Sequence, residues 1–539
     1  MSYDILIKNG KIIDGAGNPW YHADIAIKDS KIIKIKQKLD EVANKVIDAT
    51  GLIVCPGFID LHSHTDIILP FLSRVESFIR QGITTCVVGM CGDSLAPIPP
   101  EKVEDAKKIL STVNPVFANL NISWNTFAQY LKKMEKVRCP LNLVFFVGYN
   151  NIRLAGGAGF ENRLPTNAEL ESMKEYLTEA MKAGAFGMST GLIYAPQVYV
   201  KTEELIELAK VVANHGGYYF SHIRGEGKTL INAVKEFIEI VEKSGCDGGQ
   251  IAHHKVSGKI YWGASKESLR LIEEANSRGI NITCDQYPYN RGMTSLTTVL
   301  PPWVHEGGID KLLERLQNSN DRERIKKETG TKEGWENFIH ENGFECIYIS
   351  TVNTKKWKDI EGKNIAEITK IKGKKDGWET IFEILIDEKG GGMITIESMS
   401  EEDIRRIMTS RYQMVGTDGI GVPANPAFGK FHPRLFGTYS RILGKYVREE
   451  KVLTLEDAIR KMTSFPAQRL GLKDRGLLRE GLWADIVVFD PNTVIDKATY
   501  ENPHQFPEGI PHIIVNGIIV VENNKQNRKY PGKVLRRPT

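Results

Sequence analysis

The chain has 539 residues, 41% of them hydrophobic and 26% charged. These proportions are ordinary for a globular protein and exclude a mostly disordered or collagen-like chain. A formal charge of +4, from 71 basic and 67 acidic residues, is too balanced to suggest nucleic acid or an anionic membrane as a partner. No run approaches the roughly 18 consecutive apolar residues of a membrane-spanning helix. The opening MSYDILIKNGKIIDGAG lacks the basic start, apolar stretch and cleavage site of a secretory leader, so the expected location is the cytoplasm. Seven cysteines, odd in number and without a CxxC pair, argue against a disulfide framework.

In chain order, residues 4–35 read as short strands (DILI, KIID, DIAI, KIIKI), with Asn9-Gly10 as a type I′ hairpin signal between two of them. A long alternation of strands and helices follows. Eight apolar runs have strand character: VCPGFIDLHSH, TTCVVGMCG, LNLVFFVGYN, AFGMSTG, GYYFSHIRGEG, GQIAHHK, NITCDQYPYN and MVGTDG. Helical patterns such as NAELESMKEYLTEAMKAG and TEELIELAKVVANHGG lie between several of them, ending in the glycine expected at a helix stop. Eight such units point to an α/β protein of the (β/α)8 barrel type. The stretch from Tyr289 to Met414 is too long for one crossover, so an inserted subdomain is expected over about 305–395. The last sixty residues return to strands, with Asn516-Gly517 as a second hairpin signal. The expected organisation is one small β-domain from residues 1–58 and 475–539, flanking a barrel over 59–474. Two unrelated β-appendages are the alternative.

Barrel active sites form at the C-terminal ends of the strands. Read in order, those ends carry His62 and His64, Cys91, Tyr149-Asn150, Ser189-Thr190, His222, His253, Asp285 with Tyr287, and Asp418. His62 and His64 share one side of an extended strand, because side chains repeat every two residues. Taken singly, each residue has a plain structural reading. Cys91 is a small buried hydrophobe, Asp418 a helix cap, and His253 one of two adjacent histidines of which only one can face inward. Taken together, imidazole, thiolate and carboxylate are the donors of a zinc site.

These stretches resemble the amidohydrolase superfamily, and within it the D-aminoacylase (N-acyl-D-amino-acid deacylase) family. The likeness extends over nearly the whole chain. It rests on PGFIDLHSHTD, VVGMCGDSLAP, GMSTGLIYAP, SHIRGEG, AHHK, DQYPY, LPPW, VGTDG, HPRLFGT and the terminal PGKVLRR. HxH and TDG mark the superfamily alone, whereas the cysteine, GLIY and DQYPY stretches are more specific. The resemblance implies a TIM barrel of the amidohydrolase type with a small β-sandwich built from both termini. Many superfamily members bridge two metals with a carboxylated lysine after strand four, but GMSTG has no lysine. The resemblance puts Cys91 in that bridging role. Cys91, His222 and His253 then hold a tight Zn2+, and His62 and His64 share Cys91 in a second, weaker site. Two positions depart from the family pattern: Met90 stands where asparagine is usual, and Tyr149 where histidine is common. Both departures are expected to change the pocket lining.

The activity implied is zinc-dependent hydrolysis of the amide of N-acyl-D-amino acids. Asp418 is expected to orient the attacking water and move its proton. Tyr194 of GLIY is expected to donate to the developing oxyanion, and Lys255, Tyr287 and Arg434 to hold the substrate carboxylate. Alternatives within the superfamily are a D-residue dipeptidase or a cyclic-amide hydrolase such as a dihydroorotase or hydantoinase. A non-catalytic barrel scaffold is the alternative outside it. The sequence leaves the oligomeric state open.

Overall fold

The computed structural model describes residues 2–107, 120–331 and 334–537. Its body is an α/β arrangement of eight parallel strands: β1 (Phe58–Asp60), β2 (Ile83–Val88), β3 (Asn142–Phe145, continued by Val147–Gly148), β4 (Gly187–Gly191), β5 (Tyr218–His222), β6 (Gly248–Ile251), β7 (Ile282–Gln286) and β8 (Gln413–Val415). Neighbours pair in parallel in chain order, β1 to β2 to the first part of β3, and the second part of β3 through β4 to β8. A parallel bridge, Ser63 to Gly419, links the segments just beyond β1 and β8. Helices α1 (Asn167–Ala183), α2 (Thr202–Asn214), α3 (Leu230–Ser244) and α4 (Ser265–Ser277) follow β3 to β6 and pack in sequence on one another. Thr166 caps α1 with a capping box closed by Glu169, and Gly184 ends it at φ 107°, the local signals expected of such a helix.

Both ends of the chain join one nine-stranded sheet. Ile53–Pro56 is the seam, parallel to Tyr3–Ile12 on one side and antiparallel to Ile486–Phe489 on the other. The strands from the two termini are thereby hydrogen-bonded into a single sheet. Ile7, Ile25, Val54, Ile486 and Ile514 share one apolar cluster within it. Asn9-Gly10 does not turn the chain. It lies inside Tyr3–Ile12, where the register with the next strand shifts between Ile7 and Gly10, a bulge taken up by Asn9 at φ 62°. Asn516-Gly517 does make a two-residue hairpin, with both residues at positive φ. The C-terminal strand Val534–Leu535 leaves this sheet and pairs in parallel with the first part of β3.

The segment between β7 and β8 has its own antiparallel sheet, Arg291–Ser295, Met393–Glu397 and Ile347–Thr351 in that spatial order. It also has a separate core that includes Leu312, Trp357, Ile381 and Ile394. Its first strand is Arg291–Ser295, although the Arg-Gly-Met-Thr-Ser run lacks the apolar alternation of a half-buried strand. No helix of the described residues is long and apolar enough to cross a membrane.

Candidate metal centre

The strand ends bring the expected residues to one point. Cys91 Sγ lies 3.3 Å from His62 Nε2 and 3.7 Å from His253 Nε2. The His253 ring is 4.4 Å from that of His222 and 4.9 Å from that of His62. Donor atoms of Cys91, His222 and His253 fall within 4.8 Å of one another, as do those of His62, His64, Cys91 and Asp418. Cys91 therefore belongs to both groups. Imidazole and thiolate are the donors zinc favours. Among the described residues, neither nitrogen of His222 has a hydrogen-bond partner, although both are buried. Buried polar atoms are rarely left so, and a cation between these rings would satisfy them. Burial first, and for His253 also the nearby Lys255, keeps both His222 and His253 well below the usual imidazole range, so both are neutral and able to ligate.

The position of Cys91 follows from the loop that carries it. Its backbone is left-handed, φ 53°, and β4 with the segment that follows it holds it there. Ser189 Oγ accepts from Gly92 N–H at 3.0 Å, and Gln197 Nε2 donates to Cys91 O at 3.1 Å. A side chain at Gly191 would come within 2.3 Å of that same Cys91 carbonyl. The end of strand four thus presents close backbone and small side chains to the backbone that carries Cys91. His253 (φ 34°) and Asp418 (φ 48°) share the left-handed conformation, which ordinary residues avoid unless their surroundings enforce it.

Asp418 faces the open side. Its Oδ1 is 3.2 Å from His64 Nε2 and 3.4 Å from His62 Nε2, and its Oδ2 is 2.8 Å from Arg434 Nη1. Burial opposes its ionisation, but the Arg434 guanidinium above all holds the carboxyl well below its usual range. Asp285 braces the cluster from beneath, 3.3 Å from His62 Nδ1 and accepting from His253 N–H at 2.7 Å.

The three residues expected to take a substrate carboxylate are all near the cluster, and two have partners of their own. Arg434 faces Asp418. Lys255 Nζ donates to Glu226 Oε1 at 2.5 Å and lies 2.7 Å from His253 Nδ1. Tyr287 lies between them, its ring 4.7 Å from the Arg434 guanidinium and 5.8 Å from Lys255 Nζ. The Tyr194 ring is 5.2 Å from that of His222. Its hydroxyl accepts from Thr294 Oγ1 at 3.2 Å, which leaves its own proton to donate. Burial raises this phenol well above its usual range, so it stays protonated.

The sequence reading missed Glu226. Its Oε1 lies 3.0 Å from His253 Nδ1 and its Oε2 3.6 Å from His222 Nε2, so one carboxylate backs two candidate ligands. The available signal was its place in SHIRGEG, four residues after His222. Neither departure position lines the cavity beside Tyr194. The Tyr149 hydroxyl donates to Glu204 and receives Arg153 Nη1 at 3.2 Å, within the core. Met90 is buried among apolar side chains.

With this geometry established, comparison with known proteins is informative. The model of the amidohydrolase family matches residues 45–261 and 338–521, more than half of the chain. The chain belongs to the amidohydrolase family. An N-acyl-D-glutamate deacylase of Alcaligenes xylosoxydans xylosoxydans is 35% identical over 99% of this chain and 96% of its own length. A D-aminoacylase of the same organism is 32% identical over 99% and 98%. The crystal structure of N-acyl-D-glutamate deacylase from Bordetella bronchiseptica, complexed with zinc and a phosphonate inhibitor that mimics the tetrahedral intermediate, superposes with a TM-score of 0.82. It is 32% identical and covers 99% of this chain and all of that one. In this family member, then, the donor cluster sits at the ends of parallel strands, with Cys91 as the shared atom of both groups.

Proposed function

We propose that this amidohydrolase is a zinc-dependent deacylase that hydrolyses N-acyl-D-amino acids to a carboxylate and a free D-amino acid. The observation that carries the reading is Cys91: one thiol within reach of two donor groups, at the place where no strand-four lysine exists. Full-length similarity to N-acyl-D-amino-acid deacylases, one of them zinc-bound, supports the same activity.

In this reading Cys91, His222 and His253 hold the tighter Zn2+, and His62 and His64 share Cys91 at a second position. Zinc bound there supplies Lewis acidity and a more acidic water. Asp418 orients the water and takes its proton, then returns it to the leaving amine. The Asp418–Arg434 contact fixes the carboxylate toward His62 and His64. Tyr194 donates its unused proton to the carbonyl oxygen. Tyr287, flanked by two cations, and the remaining N–H groups of Lys255 and Arg434 form the carboxylate clamp. Both cations also serve buried acids, so the clamp is a network and not a pair of free charges.

The Ser63–Gly419 bridge and the Asp418 N–H donating to His62 O at 2.8 Å support closure of the eight strands into a (β/α)8 barrel over about 59–474. The terminal β-domain then takes residues 1–58 and 475–539, apart from the strand lent to β3. A cytoplasmic location suits a chain whose seven cysteines are all unpaired. The oligomeric state stays open.

The test is a panel of N-acetyl-D-amino acids, their L-isomers, D-terminal dipeptides and hydantoins, assayed on chelated protein with zinc added back. Turnover should return with zinc and be confined to the acylated D-series. In the same assay Asp418→Asn should retain zinc and lose about 10²–10⁴-fold in kcat. Preference for hydantoins, or full activity of Asp418→Asn, defeats the reading.

A further inference from the structure

Beside the metal ligands, a cavity of 180 Å³ lies between the loop after β4 and the segment inserted after β7. Tyr194 forms part of its wall and so connects it to the donor cluster through His222. Hydrocarbon makes up the larger part of the rest of the wall, from Ile193 and Val198 of the body and Leu300, Leu312 and Phe338 of the insertion, with Ser295, Thr297, Thr298 and Trp335 as its neutral polar groups.

Besides the Tyr194 phenol, two titratable groups reach it, Glu336 and His305. Burial, together with the neighbouring Glu341 and Glu226 carboxylates, raises Glu336 well above its usual range. Burial lowers His305 to about 4. Burial thus favours the uncharged form of both. Glu336 is also anchored, accepting the Glu226 N–H at 2.9 Å. Among the described residues, the lining contains no lysine or arginine.

A carboxylate entering this space would give up its water with no cation to receive it, a heavily penalised transfer. An aliphatic group would instead leave unfavourable hydration behind. An apolar cavity of about 150 Å³ is enough to hold benzene, so a branched or short linear chain fits here.

We infer that this cavity seats an apolar group adjoining the scissile amide and turns away a carboxylated one. The inference rests on the deacylase reading above and refines its substrate. The group is an aliphatic chain in either case, whether it belongs to the D-amino acid or to the acyl part. Overall identity to an N-acyl-D-glutamate deacylase does not decide this point, because selectivity depends on the few side chains lining the cavity.

The experiment measures kcat/KM of the zinc-loaded, full-length protein in two arms. One pairs N-acetyl-D-leucine with N-acetyl-D-glutamate. The other pairs N-hexanoyl-D-alanine with N-succinyl-D-alanine. Each pair is repeated with Val198→Trp, which fills the cavity, and with Ile193→Arg, which brings a cation to its wall; zinc content and circular dichroism check that both fold. In the arm that uses the cavity, the apolar member should lead by about 100-fold. Both variants should cut that lead by about tenfold or more, and the arm affected identifies the group. If one variant fails to fold, the wild-type ratios and the other variant still decide. A lead for the carboxylated member or a ratio near one in both arms, or a lead that neither variant moves, overturns the assignment while D-selective turnover still upholds the deacylase. Loss of all turnover on zinc-loaded wild type would overturn the deacylase reading itself.

Discussion

The two donor groups around Cys91 share one sulfur and the Asp285 brace, and differ in the other partners that stand behind their rings. In the group with His222 and His253 the rings are almost fully buried, and Glu226 stands behind both of them. Lys255 in turn holds Glu226, and the Glu226 N–H is tied to Glu336 of the insertion. In the other group the His64 side chain is 25% exposed, and its contact is to Asp418, the residue proposed to handle the proton. Outer partners fix ring orientation and raise ligand basicity. The same donor types therefore make a rigid pocket on one side and an accessible one on the other. Affinity is expected to follow the support behind the ligands and not their number.

The most severe way to break this contrast is Cys91→Ala, which removes the donor common to both groups. Zinc per chain measured by atomic emission should fall to near background, and activity with it. Retained zinc at wild-type stoichiometry would show that Cys91 only fills space. Folding should survive, since the change removes one sulfur from a core that also holds Ile59, Leu61 and Phe146, and a near-unchanged melting profile of the chelated proteins would confirm that.

A smaller effect separates the two groups. Glu226→Gln keeps shape and hydrogen-bonding capacity but removes the charge that faces His253 and Lys255. Loss of such an outer partner weakens metal binding about 10–100-fold. Competition with a chromophoric chelator should show that loss in the tighter phase of zinc binding alone. An equal loss in both phases would mean that Glu226 acts on the whole cluster and that the pockets are not independently supported.

How far the sequence revealed these features depends on the range of the interaction involved. His62 and His64 were legible because strand alternation is local, and Cys91, His222, His253 and Asp418 because each ends an apolar run. The identical dipeptides Asn9-Gly10 and Asn516-Gly517 show the limit. Both supply positive φ, but one makes a hairpin and the other a bulge, according to which strand lies alongside. Glu226 sits in a loop without periodicity, and only folding brings it against two rings. Lys255 and Arg434 were recognisable as cations near the site, yet their acidic partners come from residues 226 and 418, distant in sequence. The pairing of Val534–Leu535 with β3 is equally non-local, because a two-residue strand has no pattern of its own.

The mildest perturbation sharpens the contrast most. His64→Ala removes a ligand from the more exposed group and leaves Cys91, His222, His253 and Glu226 untouched. If that group is the weaker site, the tighter phase of zinc binding should be unchanged within error while the weaker phase is lost. His64 also sits 3.2 Å from Asp418 Oδ1, so its removal frees one side of that carboxylate without touching the Arg434 contact at Oδ2. Arg434 remains a dominant cause holding the Asp418 carboxyl below its usual range. The acid limb of the kcat/KM profile should accordingly move upward only slightly as one stabilising contact goes and the larger one stays. A shift upward by several pH units would make His64, and not Arg434, the group that keeps Asp418 ionised. Loss of the tighter zinc phase would merge the two groups into one coupled site.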